Sequence, residues 1–347
     1  MGLVVALMGM PAAAQAPPPP APPTAPPGRP VAPSPEAMEL DKQMSQAYHN
    51  QEYAKALELG EKLLKLRPDD PAICYNMGCI SNLMGNKPAA LQWLRRSADH
   101  GFSNVEAISF DRDLRSLKGD PAFVEVEALV LKNAGPGIAS VKERIAKSKP
   151  LIVVPPTLVT KNRVPVIVAL HGFGQREDLI VESVREAASA SGVIVVAPRG
   201  PRSAREGYAW HGTLEASMIV DDAIERVAAT YNIDRDRIIL LGFSQGGFVA
   251  LNLGMRYPDR YAGIIAIGAR YDPAVVRAPD EPQAKMPRFF LMCGADDPVL
   301  EECRRVTAAL EAIKATVKLE VYPGLGHGFP LNREAELIKA IDFALDR

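Results

Sequence analysis

Cysteine is scarce in this 347-residue chain, which holds four. No two form a Cys-x-x-Cys pair and none clusters with histidine, so the sequence carries no metal-binding signature and calls for no metal or cofactor. Cys74 and Cys79, five apart, are expected on different faces of one helix, as core residues. Cys293 at a strand end and Cys303 in the next helix leave a disulfide open. Charge of one sign is also missing. Lys plus Arg number 40 against 41 Asp plus Glu, a net charge of −1, so the electrostatic footprint of a nucleic-acid or anionic-membrane binder is absent. No apolar run is long enough to cross a bilayer. Histidines number five, which leaves few candidates for a general base.

Proline is plentiful, with 31 residues, but it crowds near the start. The apolar stretch Gly2 to Met10 runs into Pro11-Ala12-Ala13-Ala14-Gln15-Ala16. Small residues at alternate positions there resemble a signal-peptidase site after Ala14 or Ala16. Residues 1–16 are therefore expected to be a signal peptide, although the basic n-region is missing. That implies a secreted or periplasmic protein, and otherwise a cytoplasmic one. Residues 17–36 are nearly all Pro and Ala, an extended linker that cannot build a core.

From residue 37 the pattern becomes helical. Ala56 and Ala90 stand 34 apart in Tyr53-Ala54-Lys55-Ala56-Leu57 and Lys87-Pro88-Ala89-Ala90-Leu91. Pro68 closes one helix pair, Tyr75-Asn76-Met77-Gly78 opens the next, and Gly78 marks a close helix approach. This resembles tetratricopeptide repeats, at their period of about 34 residues. Two units cover about 37–70 and 71–104, with Met44 departing from the pattern where a small residue is expected. Phe110 to Leu117 with Asp120 to Phe123 reads as a capping helix pair. The all-α region is expected over 37–134, with a protein or peptide partner as the functional reading and a spacer or dimerisation module as the plain one. Asn133-Ala134-Gly135-Pro136-Gly137 reads as a hinge.

After it, over 140–347, apolar runs of β-rich type alternate with helical stretches. The runs are Val164–Leu170, Val193–Ala197, Ile238–Leu241, Tyr261–Ile267, Arg288–Met292 and Val317–Val321. The helices are Leu179–Ala190, Leu214–Tyr231, Phe248–Tyr257, Leu300–Ile313 and Arg333–Leu345. This is an α/β pattern: a mostly parallel sheet covered on both faces, with ligands at the carboxyl ends of its strands.

One stretch organises that region: Ile238 to Gly247, with Gly242-Phe243-Ser244-Gln245-Gly246 at its centre. A strand, a G-x-S-x-G turn and a helix form the nucleophile elbow. A serine needs a base. The chain order serine, acid, histidine leaves only His327, in Gly324-Leu325-Gly326-His327-Gly328-Phe329. The loop Cys293-Gly294-Ala295-Asp296-Asp297-Pro298 supplies the orienting acid. Asp297, directly before Pro298, is preferred and Asp296 is the runner-up, the unused one being expected to cap the following helix. The oxyanion donors are expected from the backbone N–H groups of Gln245 and of Phe173, in Leu170-His171-Gly172-Phe173-Gly174. His171 then braces that loop. Tyr208, Trp210 and Arg199 are expected at the entrance as substrate-binding residues. Ala269 to Pro287 is short enough for only a small lid.

With these residues in place, the C-terminal region resembles the α/β-hydrolase fold. Leu170 to Gly174, Gly242-Phe243-Ser244-Gln245-Gly246-Gly247 and the Gly294 to Pro298 loop resemble the carboxylesterase/phospholipase group, which includes acyl-protein thioesterases. The resemblance covers about 150–347. It implies a triad of Ser244, Asp297 and His327 acting without a cofactor on small-molecule carboxylic esters or thioesters. Cys293 departs from the histidine common at that position, and the Gly-His-Gly-Phe ending is closer to dienelactone hydrolases. Competing readings are a repeat scaffold with a non-catalytic hydrolase-fold domain, or a serine peptidase. The latter usually carries a propeller or large cap, of which the sequence shows no sign.

Overall fold

A computed structural model describes residues 34–156, 162–273, 275–276 and 285–347. The expected signal peptide, 1–16, and nearly all of the linker, 17–36, lie outside the described residues, as does much of the expected lid segment. The first helix, α1 (Pro35–His49), begins inside the expected linker. Ser34 Oγ accepts the Ala37 N–H at 3.1 Å, and Pro35 takes a first-turn position where no N–H is needed. Next come α2 (Tyr53–Leu66), α3 (Pro71–Leu83) and α4 (Lys87–Asp99). Asp70 Oδ1 caps α3 by accepting from Ala72 and Ile73 N–H at 3.0 and 3.1 Å. Asn86 Oδ1 caps α4 from Ala89 N–H at 3.2 Å.

α1, α2 and α4 bury one apolar stripe each, while α3 between them is buried on two faces. Met44, Leu63, Ile73, Met77 and Ile80 share a core. The bulk of Met44 is accommodated by Gly60, where a Cβ would lie 3.2 Å from Met44 Cε. Gly78 marks the expected close approach, since a Cβ there would lie 2.6 Å from Leu94 Cγ of α4. Cys74 and Cys79 are buried and unpaired.

Beyond α4 the expected capping pair takes the form of a 3-10 turn and the start of a long helix, and the expected hinge is corrected. After α5 (Val105–Phe110) and a 3-10 turn (Arg112–Leu117), a single 27-residue helix, α6 (Pro121–Lys147), passes straight through Gly135-Pro136-Gly137. Composition favoured a break, but packing on both sides of Pro136 overrides it. Upstream, Asn133 Nδ2 donates to Ala98 O at 2.7 Å and Phe102 O at 3.0 Å. Downstream, Arg144 pairs with Glu215 and Arg226 Nη2 donates to Ile145 O at 3.2 Å. The boundary expected between 134 and 140 thus lies within one helix.

The rest is a seven-stranded sheet. Its elements are β1 (Leu151–Val153), β2 (Val164–Leu170), α7 (Glu177–Ala190), β3 (Ile194–Ala197), β4 (Arg202–Ala204), β5 (Gly207–Ala209), α8 (Thr213–Ala228), β6 (Ile233–Phe243), α9 (Gln245–Arg256), β7 (Gly263–Ile267), β8 (Arg288–Gly294), α10 (Leu300–Ala312), β9 (Val317–Tyr322) and α11 (Arg333–Ala344). The strand order is β1-β3-β2-β6-β7-β8-β9, parallel throughout except for β1, which runs antiparallel to β3. This is the α/β-hydrolase architecture expected from the sequence. The inner strands β2, β3, β7 and β8 are apolar on both faces because both are covered. Val166, Val168, Leu240 and Leu291 face α8, α9 and α10, while Ile167, Ala169, Leu241 and Phe290 face α7 and α11. β1 and the hairpin of β4 with β5 were not expected, since three residues are too few to show a period.

In α6, Gly135 and Gly137 have open space where a Cβ would point. Glycine costs roughly 0.5–1 kcal/mol relative to alanine inside a helix. Gly135→Ala and Gly137→Ala should each stabilise the protein by about that amount, read as a raised thermal midpoint. A lowered midpoint would contradict a continuous helix.

Candidate active site

The site lies past the carboxyl ends of β2, β6, β7, β8 and β9. Glycine makes the turn after β6. A Cβ on Gly242 would lie 2.2 Å from the Gly246 carbonyl carbon, and one on Gly246 would lie 2.0 Å from Leu170 O. Ser244 between them is held at φ 54°, ψ −114°, a conformation a non-glycine residue seldom adopts. Its N–H donates to Ile267 O at 2.8 Å, which pins the turn to β7.

The structure brings Ser244, Asp297 and His327 together. His327 Nε2 lies 2.9 Å from Ser244 Oγ and Nδ1 lies 2.8 Å from Asp297 Oδ2. With the ring proton on Nδ1, that N–H donates to the carboxylate, and Nε2 is left to accept from the serine hydroxyl. The Asp297 side chain is 1% exposed, against 38% for His327. Asp297 Oδ1 also accepts the Val299 N–H at 3.0 Å, so one carboxylate both meets the histidine and caps the turn into α10. Asp296 is exposed and its N–H donates to Leu325 O at 2.9 Å. The expectation that the second aspartate would cap the helix is therefore corrected.

The acid and histidine loops touch through backbone. A Cβ on Gly294 would lie 2.0 Å from Leu325 O, and Ala295 N–H donates to Tyr322 O at 2.8 Å. Below the imidazole sit the rings of Phe243, at 4.9 Å from it, and Phe329, 5.3 Å from Phe243. Gly268, at φ 54°, passes so close that a Cβ would lie 3.0 Å from Asp297 Oδ2 and 3.1 Å from His327 Cε1. Sequence reasoning missed Phe243, Phe329 and Gly268 as parts of the site. Phe243 adjoins the serine in the motif, whereas Gly268 carries no local signal. Cys293 and Cys303 are both buried and unbridged behind the acid loop, and the Cys303 thiol donates to Ala269 O at 3.4 Å.

Around Phe173 the backbone donors divide cleanly. Gly172 N–H donates to Gln175 Oε1 at 2.9 Å, Gly174 N–H to Tyr208 O at 2.8 Å and Gln175 N–H to Gly172 O at 3.2 Å. Phe173 N–H alone in this turn has no partner among the described residues. Gln245 opens α9, so its N–H belongs to the unpaired first turn of a helix, where the macrodipole is positive. Such a pair of donors can receive a developing negative charge.

A cleft of about 750 Å³ opens over Ser244 and His327, walled by Phe248, Tyr271, Pro298 and Val299, with Arg270 and Glu302 at hand. Tyr208, Trp210 and Arg199 do not line it. The structure places Trp210 in the interior, 5% exposed, and Arg199 in a forked ion pair with Glu177 at 2.5 and 3.0 Å, over the Tyr208 ring at 4.6 Å. The hairpin of β4 and β5, invisible in the sequence pattern, turns this segment away. Arg199 and Tyr208 instead line a separate cavity of about 250 Å³ shared with α6 and α8. Among the described residues one group has metal-ligand proximity: Cys79, Asp111 and Asp113, in the helical region. Its carboxylates already accept from hydroxyls, Asp111 from Tyr75 at 2.7 Å and Asp113 from Tyr48 at 2.6 Å.

The family model described as Phospholipase/Carboxylesterase matches residues 157–343. A 1-acylglycerol-3-phosphate O-acyltransferase of Arabidopsis thaliana is 25% identical over 183 residues, 52% of this chain and 41% of that protein. Acyl-protein thioesterase 1 of Neurospora crassa is 30% identical over 142 residues, 39% of this chain and 56% of that protein. The chain thus spans about two fifths to just over half the length of these relatives. Among solved structures, the Bacillus cereus carboxylesterase has a TM-score of 0.45 and 18% identity, over 57% of this chain and 94% of that one.

His171 is fully buried, with Nδ1–H donating to Gly172 O at 2.8 Å and Nε2 accepting from Gly200 N–H at 2.9 Å. Burial pushes its imidazole below the ordinary value of 6.5; the Gly172 carbonyl and Glu177 pull it up, and Arg199 pushes it down again. Below about pH 6.5 the unfolded chain takes a proton there that the native one refuses. The contribution of His171 to stability is therefore full above the unfolded value and is lost as pH falls toward the lowered folded value. Wild type should lose more urea stability between pH 7.5 and 5.5 than His171→Gln. Equal losses would show that His171 is not held neutral.

Proposed function

Since the chain belongs to the phospholipase/carboxylesterase family, we propose that it is a serine hydrolase that cleaves small carboxylic esters or thioesters through an acyl-enzyme on Ser244. The observation that carries this reading is the hydrogen-bonded series from Ser244 Oγ through His327 to the buried Asp297. Ser244 Oγ attacks the carbonyl carbon as its proton passes to His327 Nε2. The carbonyl oxygen becomes an oxyanion and accepts from the Gln245 and Phe173 N–H groups. Asp297 stabilises the imidazolium. His327 returns the proton to the departing alkoxide or thiolate, leaving an ester on Ser244. Water then gives a proton to Nε2 and attacks the acyl carbon, and collapse releases the acid and restores the serine hydroxyl. Apart from the substrate and the water, every group in these steps belongs to this chain, and no step calls for a cofactor.

The open cleft and its Phe248, Tyr271 and Val299 walls favour a soluble ester of short or medium acyl length. We read α1 to α4 as two tetratricopeptide-like units that engage a protein or peptide partner. That reading is supported by the 34-residue spacing of Ala56 and Ala90, both fully buried, and by the close approach at Gly78. A secreted or periplasmic location rests on the N-terminal sequence alone.

The test is hydrolysis of p-nitrophenyl esters from acetate to palmitate by wild type and Ser244→Ala. Turnover should be confined to wild type and favour the shorter chains. A folded wild type that neither hydrolyses any ester nor takes a fluorophosphonate label on Ser244 would support the non-catalytic scaffold, and cleavage of amides in preference to esters would support a peptidase. In the same assay Asp297→Asn should lower kcat roughly 10⁴-fold, as loss of the orienting acid does in other triads. Asp296→Asn should stay within about twofold, as expected of an exposed surface group. The reverse order would move the acid by one position.

A further inference from the structure

The two donors of the oxyanion site come from separate segments. Gln245 N–H begins α9, and Phe173 N–H lies in the turn after β2. The Phe173 ring does little to hold its own turn, being 49% exposed beneath Arg205. Another residue connects the two segments. Trp210 N–H donates to Gln245 Oε1 at 3.0 Å, and Gln245 Nε2 donates back to Trp210 O at 3.1 Å. The Gln245 amide thus grips the Trp210 backbone at both polar atoms. From the same residue, the buried indole Nε1–H donates to His171 O at 2.9 Å. His171 stands two residues before Phe173, and its own ring fixes Gly172 O and Gly200 N–H. Just upstream, Tyr208 of β5 exchanges backbone bonds with Gly174 and Gln175 at 2.8 and 2.9 Å, closing the far side of the turn.

We propose that Trp210 is a positioning residue that sets the separation of the two oxyanion donors, tied to one through the Gln245 side chain and to the other through His171. The inference rests on the serine-hydrolase reading. Donors of this kind must aim at the place the tetrahedral oxyanion occupies rather than at the ground-state carbonyl oxygen. Displacement of a donor by a fraction of an ångström therefore acts on kcat before it acts on substrate binding. Any buried indole needs a partner at Nε1; what marks Trp210 is that this partner is the His171 carbonyl, two residues before Phe173, and that its backbone is gripped at both polar atoms by Gln245.

Trp210→Phe keeps an aromatic ring and removes the bond to His171 O. Gln245→Leu releases the Trp210 backbone and keeps the Gln245 N–H. Both are measured with p-nitrophenyl butyrate for kcat and KM, and with phenylboronic acid, whose tetrahedral serine adduct places an oxygen where the oxyanion forms. Each variant should lose about 10- to 100-fold in kcat with KM within about twofold, and boronate affinity should weaken in step. Because the two cut one series of bonds, the double variant should be little worse than the worse single one. Values of kcat within twofold of wild type, unchanged boronate affinity, or losses that simply multiply would each overturn the proposal. Should Trp210→Phe fail to fold by circular dichroism, Gln245→Leu decides by the same kcat and boronate criteria. Wild type without turnover and without Ser244 labelling overturns the hydrolase reading and this inference together. Active wild type with unaffected variants overturns this inference alone.

Discussion

The close approach of α9 to the ends of β2 and β6 is the constraint on which the rest of the site depends. At Gly242 and Gly246 the backbones come so near that a single methyl group would overlap a carbonyl. No side chain is admitted there, so the turn is tight enough to hold Ser244 at positive φ and lift its hydroxyl clear of the sheet. The same approach brings the first N–H groups of α9 beside the turn that follows β2. A serine hydroxyl and the positive end of a helix thus arrive together, as consequences of one packing contact.

Two further loops complete the site, held to each other by backbone contacts as well as by the Asp297 and His327 side chains. The acid loop after β8 and the histidine loop after β9 meet at Gly294 and Leu325. Neighbouring parallel strands deliver them side by side, which is why residues 30 positions apart can share a hydrogen bond of 2.8 Å. Burial of Asp297 removes water from the carboxylate, and two donors, His327 Nδ1–H and Val299 N–H, take its place. The Phe243 ring packs on the imidazole with Phe329 behind it, and His327 lines the cleft.

The helical region is joined to this scaffold by contacts rather than by a loose connection. The helix α6 passes from the repeat-like core to the flank of α8, where Arg144 meets Glu215. Glu106 of α5 reaches the start of α8; burial raises its carboxyl, while Arg256 and donors at Leu214 and Thr213 pull it back. The ring of Phe110 lies between Arg256 and Tyr257 at the end of α9. Both helices that flank the serine elbow are therefore in touch with α5 or α6.

Much of this was legible in the linear order of residues, for definite reasons. Strands of a doubly covered parallel sheet are apolar on both faces, so β2, β6 and β7 stood out as uninterrupted runs. The serine elbow was visible because its glycines and Ser244 lie within five residues of one another. His327 followed from chain order with so few histidines, and the loop after β8 was marked as the source of the acid, with Asp297 and Asp296 both in play. Local sequence determined these features because local sterics and strand burial are their cause. What only the tertiary structure decided depends on partners far away along the chain. Gly135-Pro136-Gly137 is helical because Asn133 and Arg144 are anchored on either side. Asp297 rather than Asp296 meets the histidine because of how the Gly294 and Leu325 backbones abut. Trp210 turns inward, and Arg199 and Tyr208 face a cavity away from Ser244, beside a hairpin of three-residue strands too short to leave a period. The cleft is walled instead by Phe248, Tyr271 and Val299, from three separate segments that come together only when the sheet has formed.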